Sequence, residues 1–289
     1  MSVRSRRRDA PAAVRWTVYV AIAIVFAIAC AFLSNWQFSR NAQRSEQLAL
    51  VAANYDSDPV PLADVIPAGA SLKPSDEWTP VTLTGTYLAD DQLLARNRAH
   101  GGTAAYEVLV PFRLDDGRVV LVDRGWVPPG EAQNAPDHVP GPPDGEVTVV
   151  VRLRPGEPLP GSGRSAPDGQ VPTIHLPTVA GLVDPSAGDA LERSAYGVMV
   201  SEDPAPAERP EALEAPSDDP GPHLSYAVQW ILFAVMGFIF IGYIIRTERA
   251  HRREDAEAAR NGEPAPVRTK KRRDADADAE DALLDTAGR

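Results

Sequence analysis

Two apolar runs bracket the chain, and the long stretch between them alternates. Residues 16–33 are apolar apart from Thr17 and the Tyr19 hydroxyl, and residues 226–245 are interrupted only by Gln229. Each approaches the ~20 residues that cross a hydrocarbon core, and a soluble helix of that length would carry a polar face. The pattern predicts membrane helices over residues 16–34 and 226–245. Trp16, Trp36, Tyr226 and Trp230 stand near the ends of these runs, where amphipathic rings favour the interface. Between the runs, β-branched and alternating segments predict strands over residues 79–87, 92–96, 106–114, 118–127, 146–153 and 196–200. Asp115-Asp116-Gly117 is a hairpin signal, and Val147, Val149 and Val151 fall on one face. Residues 128–143 and 155–172 read as Pro/Gly-rich loops, and residues 203–222 as an acidic linker. Residues 48–53 extend the first helix and residues 247–260 the second, while the composition from residue 261 onward reads as disordered. The expected fold is an α+β membrane protein: two transmembrane helices flanking an extracytoplasmic, mainly antiparallel β domain, a sheet or partly closed barrel.

Charge orients these elements. The formal net charge of −11 over 289 residues conceals a strong segregation. Residues 35–225 carry 13 Lys/Arg against 28 Asp/Glu. Arg4, Arg6, Arg7, Arg8 and Arg15 precede the first run, and Arg246, Arg249, Arg252 and Arg253 follow the second. By the positive-inside rule, residues 1–15 and 246–289 face the cytoplasm and residues 35–225 lie outside it, so the expected location is the cell membrane, in a multi-pass arrangement. The acidic central domain argues against nucleic acid as a partner and leaves the lipid bilayer as the expected one. The basic block Lys270-Lys271-Arg272-Arg273 reads as a solvated cytoplasmic tail rather than a lipid-binding site.

Cys30 is the single cysteine, so no intrachain disulfide and no cysteine-based metal or redox motif exists. Ala29-Cys30-Ala31 resembles a signal cleavage site or a lipoprotein cysteine. The apolar run continues past it through Phe32 and Leu33, however, and Ala27 stands where a lipoprotein signal has Leu. Cys30 therefore reads as a small residue in a membrane helix. Ala23, Ala27 and Ala31, spaced i, i+4, i+8, would let the second helix approach. Nucleophile elbows, zinc-protease motifs and phosphate loops are absent from the sequence, and His100, His138 and His175 lack ligand spacing. The chemistry gathers instead at the outer ends of the apolar runs. Trp36, Arg40 and Arg44 share one helical face, as do His223, Tyr226, Ala227 and Trp230 on the other helix. Gln229 is expected to face the neighbouring helix. A histidine among aromatics with arginines opposite suits a tetrapyrrole, with imidazole on iron and guanidinium on propionate. On spacing alone, ordinary interfacial side chains are the better reading. His223 is the sole candidate metal ligand, toward haem iron.

Four motifs occur in order along the chain. They are Trp36-Gln37-Phe38-Ser39-Arg40; Gly85-Thr86-Tyr87 with Arg96-Asn97-Arg98; Val122-Asp123-Arg124-Gly125-Trp126-Val127-Pro128; and His223-Leu224-Ser225-Tyr226-Ala227-Val228-Gln229-Trp230. Together they resemble the Surfeit locus protein 1 family, which assists cytochrome c oxidase assembly. Two departures stand out, Asn35 where a Gly often occurs and Asp123 in place of the commoner Asn. The resemblance implies a non-enzymatic role in the maturation of oxidase subunit I, with subunit I and other oxidase assembly factors as partners and haem a as a transient cofactor. It makes His223, Tyr226, Trp230, Trp36, Gln37 and Arg40 the cofactor-facing residues. Arg124, Gly125 and Trp126 become a fold or partner motif, with Gly125 after a strand suggesting a backbone constraint. Copper delivery is disfavoured, since Met199 is the one soft ligand between the runs. The alternative is a membrane-anchored structural or partner-binding subunit of a respiratory complex that handles no haem.

Overall fold

The computed structural model describes residues 12–100, 102–131, 135–163 and 165–262. Arg4, Arg6, Arg7 and Arg8 and the tail block of residues 270–273 lie outside them. In chain order the elements are α1 (Ala12–Asn54), β1 (Val60–Pro61), α2 (Leu62–Val65), β2 (Pro80–Tyr87), β3 (Leu93–His100), β4 (Thr103–Leu114), β5 (Val119–Val127), β6 (Val147–Arg154), β7 (Gln170–Val171), α3 (Leu176–Ala180), α4 (Pro185–Ala190), β8 (Tyr196–Asp203) and α5 (His223–Asn261). The chain divides into two compact units. Among the described residues, 12–40 and 222–262 form a helical unit, and those within 41–221 a sheet unit.

In the helical unit, α1 and α5 are both long and apolar enough to cross a membrane. They run antiparallel along a seam of small residues. On α1 the covered positions are Ala23, Ala27, Cys30, Ser34 and Gln37, and on α5 they are Ala227, Trp230, Ala234, Gly237 and Ile241. Intervals of four and three alternate along both, the 3.5-residue period of helices wound on a common seam. The expected strict i+4 row fails for that reason. Ala31 is exposed and Cys30 takes its place, buried as a small apolar side chain. Gln229 is exposed rather than turned toward α1. Both ends of the seam are tied by polar contacts. The Ser34 hydroxyl donates to the Ala227 carbonyl at 2.9 Å, and Trp16 Nε1 donates to Glu248 at 2.9 Å beside an Arg15–Glu248 ion pair. Phe32, Ile239, Phe240 and Tyr243 point outward, a surface that fits a membrane protein.

The sheet unit holds one eight-stranded sheet among the described residues, in the order β1-β2-β6-β8-β5-β4-β3-β7. The six predicted strands are all present, as β2 to β6 and β8. The sheet is mixed: its long pairings are antiparallel as expected, while three short ones are parallel, β1–β2, β3–β7 and β5–β8. The long excursion between β5 and β8 supplies the crossover that a parallel pair requires. β2 uses both of its edges. Pro80–Gly85 pairs with β6, and Gly85–Tyr87 pairs with β4. The sheet curls until one end of β2 meets β4, and it is not a closed barrel. Gly85 stands where the two pairings overlap, and a Cβ there would collide with the Arg113 carbonyl oxygen. The β4–β5 hairpin closes over Asp115-Asp116-Gly117 as expected, with Gly117 at φ 88°.

Both sheet faces are covered, which explains the unbroken apolar run of β5. Val120 and Val122 join Val81, Leu83, Phe112, Val149 and Val151 under Leu62 and Ile66. Val119 and Leu121 join Leu93, Leu109 and Tyr196 under Ile174, Leu176 and Val179. Residues 204–221, expected as a free linker, are tied to this unit. Glu211 and Trp126 exchange two backbone hydrogen bonds of 2.9 Å. The Arg44 guanidinium donates to the Ser217 carbonyl at 2.7 Å and to the Asp219 carbonyl at 2.9 Å.

Candidate functional site

Two places collect the residues singled out by the sequence, one in each unit. In the helical unit, Gln37 lies one turn beyond Ser34 on the α1 seam, and His223 opens α5 four residues before the buried Ala227. His223 Nδ1 and Gln37 Oε1 are 2.9 Å apart. An amide oxygen can only accept, so Nδ1–H is the donor, and in the neutral imidazole Nε2 then carries the lone pair. Among the described residues Nε2 has no hydrogen-bond partner. A histidine whose Nδ1–H is held by a fixed acceptor is oriented for coordination through its other nitrogen.

The remaining candidates do not converge on this pair. Trp36 is 46% exposed with the Arg40 guanidinium 5.7 Å from its ring centroid. Adjacent helical residues are about 100° apart, so the register that places Gln37 on the seam turns Trp36 away. Tyr226 is 47% exposed, and Trp230 is half-buried with its ring edge-on to Phe233 at 5.7 Å. Arg44 is committed to the Ser217 and Asp219 carbonyls, within the sheet unit. Ser34 and Cys30 were missed as neighbours of the site. The alternating four-three spacing of small residues was the signal that marks them.

In the sheet unit two of the quoted motifs are β-bulges on either side of β4. The Arg96-Asn97-Arg98 motif inserts one extra residue into β3 between Ala95 and Arg98, with Asn97 at φ 58°. The Arg124-Gly125-Trp126 motif inserts one into β5 opposite Glu107–Leu109, with Gly125 at φ 125°. A bulge reverses which side the following residues face. Arg98, His100 and Trp126 are thereby brought to the side of Glu107 and Asp123, and Arg98, His100, Glu107 and Asp123 line a cavity of about 260 Å³ there. Arg98 bridges Glu107 and Glu157. His100 Nε2 is 2.9 Å from Glu107 Oε1, and its ring stacks on Trp126 at 5.5 Å and 10°.

Arg124, on the other side of its bulge, is 0% exposed. Its Nη2 donates to Glu202 Oε1 at 2.8 Å and its Nη1 to the Pro140 carbonyl at 3.0 Å. The Tyr87 hydroxyl donates to the same carboxylate at 3.0 Å, and its ring lies 5.4 Å from the guanidinium. Complete burial leaves Arg124 no surface to offer a partner. Gly125 has a second reason to lack a side chain, since a Cβ there would strike the Glu211 carbonyl oxygen of the 204–221 segment.

Asp123 is 1% exposed. Burial, followed by the nearby Glu107 charge, pushes its carboxyl well above the ordinary range, and the hydrogen bond from the Gly125 N–H at 3.2 Å opposes this only in part. The folded state therefore holds the proton more tightly than the unfolded chain. Its stability falls as pH rises from about 4, the ordinary carboxylate value, through the raised folded one. Asp123→Asn keeps the acceptor for Gly125 and cannot ionise. The variant is expected to match the wild type near pH 4 and to exceed it by about 1–3 kcal/mol at pH 8. Thermal denaturation of both proteins from pH 4 to 8 measures this, and parallel curves would refute it.

Arg98, His100, Glu107, Asp123, Arg124 and Glu202 each face an opposite charge or a donor. Among the described residues no group of three or more His, Cys, Asp or Glu is arranged to hold a metal ion. Against known proteins, the model of the SURF1 family matches residues 24–235. A SURF1-like protein of Mycobacterium tuberculosis is 37% identical over 260 residues, which is 88% of this chain and 93% of the relative. A SURF1-like protein of Monosiga brevicollis is 36% identical over 132 residues, covering 42% of this chain and 47% of the relative. The cytochrome oxidase assembly protein SHY1 of Saccharomyces cerevisiae is 28% identical over 146 residues, covering 47% of this chain and 36% of the relative.

Proposed function

The chain belongs to the SURF1 family, and on that premise we propose that it is a membrane-anchored, non-enzymatic assembly factor for cytochrome c oxidase that acts on subunit I as haem a is inserted. The yeast relative's role in oxidase assembly supports the general reading. The observation that carries the finer one is the His223–Gln37 pair, an oriented imidazole with its coordinating nitrogen unpartnered among the described residues. In this reading α1 and α5 cross the cell membrane, the sheet unit lies outside the cytoplasm and both termini lie inside, as the flanking arginines favour. Haem a supplies the iron that such an imidazole ligates. His223 is its ligand and Gln37 fixes the ring. Trp36, Arg40, Tyr226 and Trp230, which do not converge on the pair, offer an outward aromatic and basic surface at the same helix ends to the partner. Subunit I and other oxidase assembly factors are the partners.

The test is titration of the purified full chain with haem a. His223→Ala is expected to abolish the spectrum of an imidazole-ligated haem. Gln37→Leu is expected to weaken binding about 10-fold, the usual effect of removing an orienting hydrogen bond, and to leave the bound spectrum unchanged. An unaltered spectrum and affinity in His223→Ala would overturn the ligand assignment. Normal haem a content in the oxidase of cells lacking the gene would overturn the assembly reading itself.

A further inference from the structure

The two arginines of the Arg96-Asn97-Arg98 bulge are treated differently by the fold. Arg98 carries two carboxylates, Glu107 and Glu157. Arg96 makes no ion pair and no hydrogen bond among the described residues, although its Nε is buried. Four buried side-chain atoms among the described residues lack a partner, and three lie along this edge of the sheet: Arg96 Nε, Gln170 Oε1 and Thr173 Oγ1. The pairing of β3 with β7 sets them side by side, since Leu94 is opposite Gln170 and Ala95 opposite Val171. Buried polar atoms left unmatched cost about 1–3 kcal/mol each, and natural folds leave few. Arg96, Asn97, Arg98, Ser165 and Thr173 line a solvent-open cavity of about 590 Å³ at this edge.

The polar side chains that line the cavity can donate, while Gln170, whose unmatched Oε1 is an acceptor, does not line it. Arg96 brings an uncommitted fork, Asn97 an amide, and Ser165 and Thr173 hydroxyls. The nearby carboxylates are held by Arg98. Donors arriving from several directions around one cation suit a tetrahedral oxyanion better than a planar carboxylate, which the fork alone would satisfy. We propose that the bulge of β3 and the chain leading through Thr173 form a binding site for a phosphate-type oxyanion, with Arg96 as its cation and the Thr173 hydroxyl as a further donor. The site lies in the sheet unit and is separate from the His223–Gln37 pair. It does not depend on how haem is handled.

The phosphate can be free or carried on a lipid headgroup, and two probes separate these sources. The full chain in neutral detergent is titrated with inorganic phosphate at constant ionic strength, with chloride as control, and then with monomeric short-chain phosphatidylglycerol. Phosphate is expected to bind the wild type in preference to chloride. Arg96→Gln is expected to weaken that binding at least 10-fold, Thr173→Val about 5-fold, the worth of one hydrogen bond, and Arg96→Lys less than Arg96→Gln. Phosphatidylglycerol binding 10-fold tighter than phosphate, with the same dependence on Arg96, would identify a lipid headgroup as the source. Equal affinity of the wild type and Arg96→Gln for both probes, or no binding of either by a wild type with an intact thermal transition, would overturn the proposal.

Discussion

Replacing Arg124 by alanine is expected to destabilise the sheet unit by about 3–5 kcal/mol, the cost of removing one partner from a buried ion pair. The side chains of Arg124 and Glu202 are 0% and 2% exposed. Truncation leaves the Glu202 carboxylate buried with only the Tyr87 hydroxyl donating to it, and strips the Pro140 carbonyl of its donor. The guanidinium also fills space among Tyr87 and its neighbours, so packing is lost together with charge. The double substitution Arg124→Met with Glu202→Leu removes both charges and keeps the volume. It is expected to recover most of the loss, because the penalty comes from the stranded carboxylate rather than from the absence of the pair. Chemical denaturation of the wild type, single and double variants, followed by tryptophan fluorescence, distinguishes these cases. A single variant as stable as the wild type, or a double variant as unstable as the single, would contradict this account.

Such a role was only partly legible in the sequence. The strands announced themselves through β-branched alternation, and the hairpin through Asp115-Asp116-Gly117. Gly125 carried a visible backbone signal, because a glycine between Arg124 and Trp126 inside an apolar strand has no packing to offer. What hid was everything set by long-range register. β1 and β7 are two residues long, too short for any periodicity, and they supply two of the three parallel pairings that the antiparallel expectation missed. The bulges in β3 and β5 could not be read from either strand alone, because a bulge exists only against its partner's count, here along β4. His100, Glu107 and Asp123 therefore looked scattered, whereas the two extra residues gather them around one cavity. The helical unit repeats the lesson on a smaller scale. Helical arithmetic put His223 and Ala227 on one face, but choosing Gln37 over Trp36 on α1 needed the position of the seam, which Ser34 reveals by its bond to Ala227. The segment of residues 204–221 looked like a linker by composition, because most of what ties it is backbone bonding and the Arg44 guanidinium, with the exposed Glu208–His138 pair at 3.2 Å the contribution of its own side chains.

That tie makes Gly125→Ala the second large effect. The φ of 125° at Gly125 is one that L-residues adopt at a cost of about 1–3 kcal/mol. The new Cβ would also stand 2.3 Å from the Glu211 carbonyl oxygen, so the 204–221 segment has to lift away. Lifting breaks both hydrogen bonds between Trp126 and Glu211, worth ~1 kcal/mol each. Together these give a loss of about 3–5 kcal/mol, concentrated at one place. Hydrogen exchange at the Trp126 and Glu211 amides is therefore expected to accelerate at least about 100-fold in Gly125→Ala, while amides in the middle of β6 change far less. Asp123→Asn, two residues away, should leave both amides protected, because its amide oxygen still accepts from the Gly125 N–H. A uniform loss of protection across the sheet would mean that Gly125 serves the bulge alone. A loss confined to Trp126 and Glu211 would identify it as the seat of the returning segment. Deleting the Arg44 tie with Arg44→Ala should then free residues 217–219 without exposing Trp126, since the Arg44 and Trp126 contacts hold the segment at separate points.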